Sequence, residues 1–348
     1  MTDPRRPAAG PDWLAVHVFY AASSRPVLLD CVHPLVSELA EDDLLDGWWF
    51  LNYWLEGPHV RLRLRPSTVD AEPEVRRRTE AAVERFLRTR PALYRVEGNF
   101  LAELYDTLFQ LEYPDGAAGG LAGPDGRMTL RPNNSWSWEP YEPEYGKYGG
   151  PAGVALAEWH FQRSSALVID AVRTRNMHLR TVVLGLAAQL MMVMSSCFVA
   201  DRDHLLGLLE RYHDFWQRGF ATTNYADADG YDEAFGAMAA ELARRFGTVR
   251  SRLSEGDLDG LPGLLRAWAA HCLELRDRVS ALAEAGELTF RGIHTDGDLR
   301  ITSPAGALAM LASPYLHMTN NRLGVTIRDE AYLSYVLARA LREPVVAS

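Results

Sequence analysis

The stretch Trp48-Trp49-Phe50-Leu51-Asn52-Tyr53-Trp54-Leu55-Glu56-Gly57-Pro58-His59-Val60-Arg61-Leu62-Arg63-Leu64-Arg65 reads as two strands joined by a Glu-Gly-Pro turn. Strand side chains alternate, so His59, Arg61, Arg63 and Arg65 fall on one face and Val60, Leu62 and Leu64 on the other. Three arginines in a row on one face repel each other. Such a face calls for anionic partners, either acidic side chains or an acidic ligand. An exposed antiparallel face, which is often polar, explains the pattern equally well at this level.

Outward from this hairpin, Trp13 to Tyr20 is a strand rich in β-branched and aromatic residues. Pro26 to Ala40 is a helix with Leu28, Leu29, Val32, Leu35, Val36 and Leu39 at helical spacing. Ala71 to Arg90 is a charged helix stopped by Pro91. Leu93 to Phe100 reads as a further strand or its approach, and Asp106 to Arg127 ends in a glycine-rich surface loop. Met128 to Tyr141 is extended, and Tyr141 to Gly150 is irregular, with Gly146, Gly149 and Gly150 free to take unusual backbone angles.

From there helices dominate: Gly153–Val172, Asn176–Ala200, Asp203–Phe220, Tyr231–Leu253, Leu261–Ala285, Pro304–Thr319 and Asp329–Arg342. Strand-like pieces around an Asp-Gly turn interrupt them between Leu288 and Ile301. Strands followed by helices predict an α+β fold. An antiparallel β-rich N-terminal part (13–150) packs on a mainly helical C-terminal bundle (151–348). Together they form one domain after a disordered tail (1–12).

Composition narrows the function. The 348 residues are 47% hydrophobic, enough for a substantial core. The net charge of −10 argues against general nucleic-acid or anionic-membrane binding. Cys31, Cys197 and Cys272 are odd in number and widely spaced, so they give neither a disulfide framework nor a zinc pattern. A reducing cytoplasm fits them, and the tail is no signal peptide. Thr181 to Ala200 is as long as a membrane span, but Thr181, Gln189, Ser195 and Ser196 interrupt it. It is expected to be a central bundle helix rather than a membrane span. No Walker loop, GxGxxG, HExxH or GxSxG sequence occurs, so neither a cofactor nor a metal is expected.

Four groups remain that can carry chemistry. They are the arginine strand, the segment ending in Lys147-Tyr148, Glu158 with Ser164-Ser165, and Ser313-Pro314-Tyr315-Leu316-His317-Met318-Thr319-Asn320-Asn321-Arg322. At a helix C-terminus His317 is a candidate acid or base. A C-capping histidine, with Asn-Asn turning and Arg322 binding helix carbonyls, is the plainer account of the same residues.

In this order the motifs G-P-H-x-R-L-R-L, Y-x-P-E-x-x-K-Y-G-G, E-x-x-F-x-x-S-S and H-M-x-x-N-R resemble the C-terminal domain of lantibiotic dehydratases, which also occurs alone as the thiopeptide-type bacteriocin biosynthesis protein. The resemblance runs from about Trp13 to the C-terminus. It implies a protein that matures a ribosomally made peptide. The leading reading is elimination of glutamate from glutamylated Ser or Thr, leaving dehydroalanine or dehydrobutyrine. The alternative is the [4+2] cycloaddition of two dehydroalanines that builds a pyridine and releases the leader. A leader-binding subunit without catalysis is the third.

The resemblance implies Arg61, Arg63 and His317 as catalytic residues, with Lys147 where the family carries an arginine. Lysine keeps the charge but loses the bidentate fork. Tyr148, Glu158, Ser165, Ser313, Asn321 and Arg322 are the implied substrate-binding residues. The implied partners are a precursor peptide, its leader added as a strand near Trp13–Tyr20 or Leu93–Phe100, and a separate glutamyl-tRNA-dependent subunit. The chain itself is not expected to bind nucleic acid, and a homodimer is left open.

Overall fold

The hairpin forms as its alternation requires. Strand β2 is Leu45–Tyr53 and β3 is His59–Pro66, with Trp49 opposite Arg63 and Leu51 opposite Arg61. Glu56 and Gly57 take positive φ values of 63° and 110° at the turn, where glycine relieves the steric cost. This computed structural model describes residues 12–93, 109, 121–123, 127–220, 236, 238–292 and 297–343. The tail before Asp12, the strand expected at Leu93–Phe100 beyond Leu93, most of the Asp106–Arg127 loop, the start of the Tyr231–Leu253 helix and the Asp-Gly turn lie outside the described residues.

The chain divides into two compact units, Met1–Glu142 with Ser164–Thr174, and Pro143–Arg163 with Arg175–Ser348. In the first, β1 (Leu14–Phe19) and β4 (Ser135–Glu139) complete an antiparallel sheet of order β2-β3-β1-β4. Its register sets His17 beside Arg61 and Ser137 beside His17. Val16, Val18, Val60, Leu62 and Leu64 are buried on the opposite face. Helix α1 (His33–Glu41) and helix α2 (Glu72–Thr89) belong to the same unit. A π-helical stretch, Leu28–Val32, precedes α1. Pro34 cannot donate to the carbonyl four residues back, which suits a widened turn just before it.

The placement of β1 corrects one expectation. β1 pairs with β3 on one side and β4 on the other, so it offers no free backbone edge for a leader strand. Among the described residues the edge strands are β2 and β4.

The second unit is helical, as expected. After one helical turn, Tyr145–Tyr148, come α3 (Gly150–Thr174), α4 (Arg180–Phe198), α5 (Arg202–Phe220), α6 (Ala239–Glu255), α7 (Gly263–Glu284), α8 (Pro304–Leu323) and α9 (Ile327–Arg342). A two-stranded ribbon, β5 (Leu288–Arg291) and β6 (Asp298–Ile301), lies between α7 and α8. Residues Ser164–Thr174 of α3 belong to the first unit.

Helix α4 is the apolar segment that invited a membrane check. Among the described residues it is the one helix long and apolar enough to span a bilayer, and 72% of its apolar window is buried inside the protein. The Trp268 indole N–H donates to its Leu190 carbonyl at 3.1 Å. Cys31, Cys197 and Cys272 are free, buried thiols.

Two local features fix the entry to α3. Gly149 and Gly150 have φ of 89° and 84°, and the Thr289 amide donates to the Gly149 carbonyl at 3.1 Å. A Cβ at Gly153 would collide with the Tyr148 carbonyl, which cannot move aside as a flexible side chain would. Gly153→Ala is therefore expected to cost about 2 kcal/mol or more by overpacking and backbone strain. The check is the urea midpoint of the purified variant; an unchanged midpoint would refute this account of the turn.

Candidate functional site

On β3 the arginine face is a cation–aromatic surface. The Arg65 Nε donates to Asp46 at 2.6 Å, so the last arginine of the series has its acidic partner. The Arg61 guanidinium lies over the Tyr53 ring at 3.5 Å, and its Nε donates to His59 Nε2 at 3.0 Å. Arg63 is 5% exposed, between the rings of Trp49 at 5.7 Å and Tyr141 at 5.5 Å. Its Nε has no hydrogen-bond partner among the described residues. Burial and the neighbouring Arg61 push its guanidinium down to about 9, so it remains cationic at neutral pH. A buried, under-satisfied guanidinium is costly, and an anionic group would relieve that cost.

Two histidines share this face. His17 stacks on His59 with ring centroids 5.0 Å apart. His17 Nε2 is buried without a hydrogen-bond partner among the described residues. Burial, then the charges of Arg63, His59 and Arg61, hold His17 down to about 2. Burial holds His59 to about 3, partly offset by its hydrogen bond to Gly57. Both imidazoles are neutral at pH 7, so the arginines alone supply the positive charge of this group.

In the second unit α8 runs on to Leu323, one turn past the expected stop at Thr319, and Gly324 closes it in the left-handed conformation at φ 75°. The extra turn is stable because Asn320 and Arg322 find buried partners. Asn320 Nδ2 donates to Glu330 at 3.4 Å, and Arg322 Nη1 donates to the Met318 carbonyl at 2.8 Å. His317 is therefore no C-cap. Its Nδ1 lies 2.9 Å from Glu330 Oε1, and its side chain is 26% exposed. Glu330 is fully buried and also accepts from the Tyr212 hydroxyl. The Trp216 ring packs against the imidazole at 4.9 Å. A carboxylate accepting from Nδ1–H leaves the lone pair on Nε2, which is the arrangement of an oriented general base.

A capping box sets that carboxylate in place. The Thr326 hydroxyl accepts from the Asp329 amide and the Asp329 side chain reaches back to the Thr326 backbone, so the box that opens α9 includes the residue just before Glu330. Asp329 itself pairs with Arg180.

A second cluster in this unit is built on Tyr148, whose ring stacks on Tyr315 at 6.1 Å and meets Phe161 edge-on at 5.4 Å. Neither phenol hydroxyl has a hydrogen-bond partner among the described residues. The Arg322 guanidinium lies 4.5 Å from the centre of the Phe161 ring. Burial lowers it to about 9 while Tyr148 raises it, and burial raises the Tyr148 phenol above the usual range. Beside it, His160 Nδ1 and His271 Nε2 are 2.9 Å apart, joining two histidines that carry no obvious sequence signal.

The remaining expected residues divide as follows. Lys147 is exposed and pairs with Glu144 at 3.3 Å. Glu158 is buried, while Ser313 and Asn321 are partly buried. Ser165 lies in the first unit, fully buried, and its Oγ accepts from the Phe50 amide at 3.1 Å. That hydrogen bond ties helix to strand within the unit. Sequence reading missed His17, Tyr212 and Glu330. His17 was legible as a polar residue in an otherwise apolar alternating strand. Glu330 was not, because an acidic residue in a first helical turn ordinarily serves the helix terminus.

The sequence pattern of the lantibiotic biosynthesis dehydratase C-terminal family matches residues 13–341. The chain belongs to that family. Membership makes it a protein of ribosomal-peptide maturation. No curated protein sequence matches it. Among solved structures it is similar to the pyridine synthase TbtD from thiomuracin biosynthesis, with 23% identity over 94% of this chain and 97% of that one and a TM-score of 0.71. It is similar to TsrL at 19% identity, 94% of each chain and a TM-score of 0.64. It also matches the tRNA-dependent lantibiotic dehydratase MibB from Microbispora sp. 107891, with 19% identity, 97% of this chain, 28% of that chain and a TM-score of 0.54. At these identities the likenesses establish a shared fold.

The neutral histidines give a pH signature with a definite sign. His17 and His59 take up protons near pH 6.5 when unfolded, but only near 2 and 3 when folded. Their contribution is fully present above pH 6.5 and is lost as pH falls toward 3. Each adds a slope of about 1.4 kcal/mol per pH unit within that window. Urea midpoints between pH 7.5 and 4.5 should fall accordingly, and His17→Gln should flatten the fall. A fall of equal steepness in that variant would contradict the assignment.

Proposed function

We propose that the protein eliminates glutamate from glutamylated Ser or Thr of a precursor peptide. The observation that carries this reading is the His317–Glu330 pair, a part-exposed imidazole turned by a buried carboxylate. His317 Nε2 takes the α-proton of the esterified residue. The Cα–H electron pair becomes the Cα=Cβ bond, and the Cβ–O bond breaks with its electrons on the departing glutamate carboxylate. The product is dehydroalanine from Ser and dehydrobutyrine from Thr.

Arg61 and Arg63 suit the task of binding carboxylate, since Arg63 is a buried guanidinium whose Nε has no partner among the described residues. Lys147, exposed beside Glu144 in the second unit, carries a positive charge without the fork an arginine would bring. The precursor peptide and a separate glutamyl-tRNA-dependent subunit are the partners this chemistry needs. Its leader would add to β2 or β4 rather than to β1.

Two observations favour a second reading, the [4+2] cycloaddition of two dehydroalanines with loss of the leader. One is the likeness to a pyridine synthase over almost the full length of both chains. The other is the stacked Tyr148 and Tyr315, whose buried hydroxyls could donate to an amide as it tautomerises.

Substrates separate the two. Purified protein given a glutamylated precursor should release free glutamate, read by mass spectrometry. Conversion instead of a bis-dehydroalanine precursor to a pyridine macrocycle with free leader would replace this reading with the second. His317→Ala should abolish turnover with leader affinity intact; full peptide maturation by that variant would indicate a leader-binding subunit. Glu330→Gln should lower kcat roughly 10- to 100-fold at similar KM, because it weakens a base without touching substrate.

A further inference from the structure

We infer that His59 is a positioning residue that fixes the guanidinium of Arg61 through a single locked tautomer. The inference rests on the reading of Arg61 as a carboxylate-binding group. Its geometry starts at the hairpin turn. His59 Nδ1 lies 2.8 Å from the Gly57 carbonyl oxygen and Nε2 lies 3.0 Å from Arg61 Nε. Arginine Nε always carries hydrogen, so Nε2 must accept. The ring proton then sits on Nδ1 and donates to Gly57. One tautomer satisfies both contacts, and a doubly protonated ring would set two donors against each other.

The surroundings hold the ring in that orientation. The imidazole packs against Phe19 at 4.5 Å, His17 at 5.0 Å and Tyr53 at 5.6 Å. Tyr53 meets both partners, since the Arg61 guanidinium lies 3.5 Å over its ring. Arg61 is thus held at two points, edge-on at Nε by an imidazole and face-on by a phenol. Two constraints fix the guanidinium plane, and with it the direction in which the terminal amino groups meet a ligand. The positive φ of Gly57 aims the carbonyl that selects the tautomer. The turn, the histidine and the arginine of G-P-H-x-R therefore form one device.

Amide substitutions test it, because each mimics one ring nitrogen. His59→Gln places its amide oxygen where Nε2 stood and keeps an acceptor for Arg61. His59→Asn places its amide where Nδ1 stood and loses that acceptor. For release of glutamate from a glutamylated precursor, H59N should raise KM roughly tenfold or more, while H59Q stays within about threefold of wild type. In an Arg61→Lys background, H59N should add nothing further. Equal KM values for H59N and H59Q, or additive effects with Arg61→Lys, would overturn the proposal.

A second measurement does not depend on the reaction. The Arg61 Nε–H resonance of ¹⁵N-arginine-labelled protein should exchange slowly with water in the wild type and H59Q, and fast in H59N. Fast exchange in the wild type would overturn the proposal whatever the substrate. Should the wild type leave glutamylated precursor intact, the functional reading falls by itself, and the exchange comparison still decides the contact.

Discussion

The strongest constraint on the first unit is that a strand of period two cannot bury one face without committing the other. Val60, Leu62 and Leu64 are buried on one side of β3, so Arg61 and Arg63 must project from the opposite side. β3 is an inner strand between β2 and β1, which leaves Arg63 in the middle of a covered face. Aromatic faces meet this charge: Trp49 and Tyr141 flank Arg63, and Tyr53 lies under Arg61. Rings stabilise a cation less completely than a carboxylate does. The neutral His17 and His59 add no charge of their own to this face.

The second unit solves the converse problem of placing a buried carboxylate. Glu330 has no contact with water, and three groups share it: the Tyr212 hydroxyl, the Asn320 amide and the His317 imidazole. Each belongs to a helix packed on α9 or to α8, so the carboxylate's orientation is over-determined. The adjacent Asp329 takes the structural work of the helix start, through Thr326 and Arg180. Division of labour between neighbouring acids is what leaves Glu330 to orient a histidine. The same logic explains why α8 continues past a run of polar residues, since Asn320 and Arg322 both gain buried partners there.

Local pattern carried much of the architecture. Alternation located β1 and the β2–β3 hairpin, and helical spacing located α2, α3, α4, α5 and α7 within a few residues. Failures occurred where a distant group overrode local chemistry. Thr319-Asn320-Asn321-Arg322 looks like a terminus because asparagine and threonine compete for backbone hydrogen bonds. It is helix because Glu330, ten residues beyond Asn320, accepts from the Asn320 amide. β1 looked like an available edge, but strand order is set by long-range pairing, and β4 comes from a segment more than a hundred residues later.

By itself the sequence determined the α+β class, the two faces of the arginine strand and the order of motifs that marks the family. These are consequences of residue periodicity and of backbone preferences at glycine and proline, which act locally. Only the tertiary structure decided which polar groups are paired and which are left wanting. Arg65 found Asp46 while the Nε of Arg63 has no partner among the described residues, and His317 acquired Glu330 from another helix. Burial makes those pairings consequential, because a polar group removed from water must find a partner or carry the cost, and no local rule records which neighbour the fold will bring.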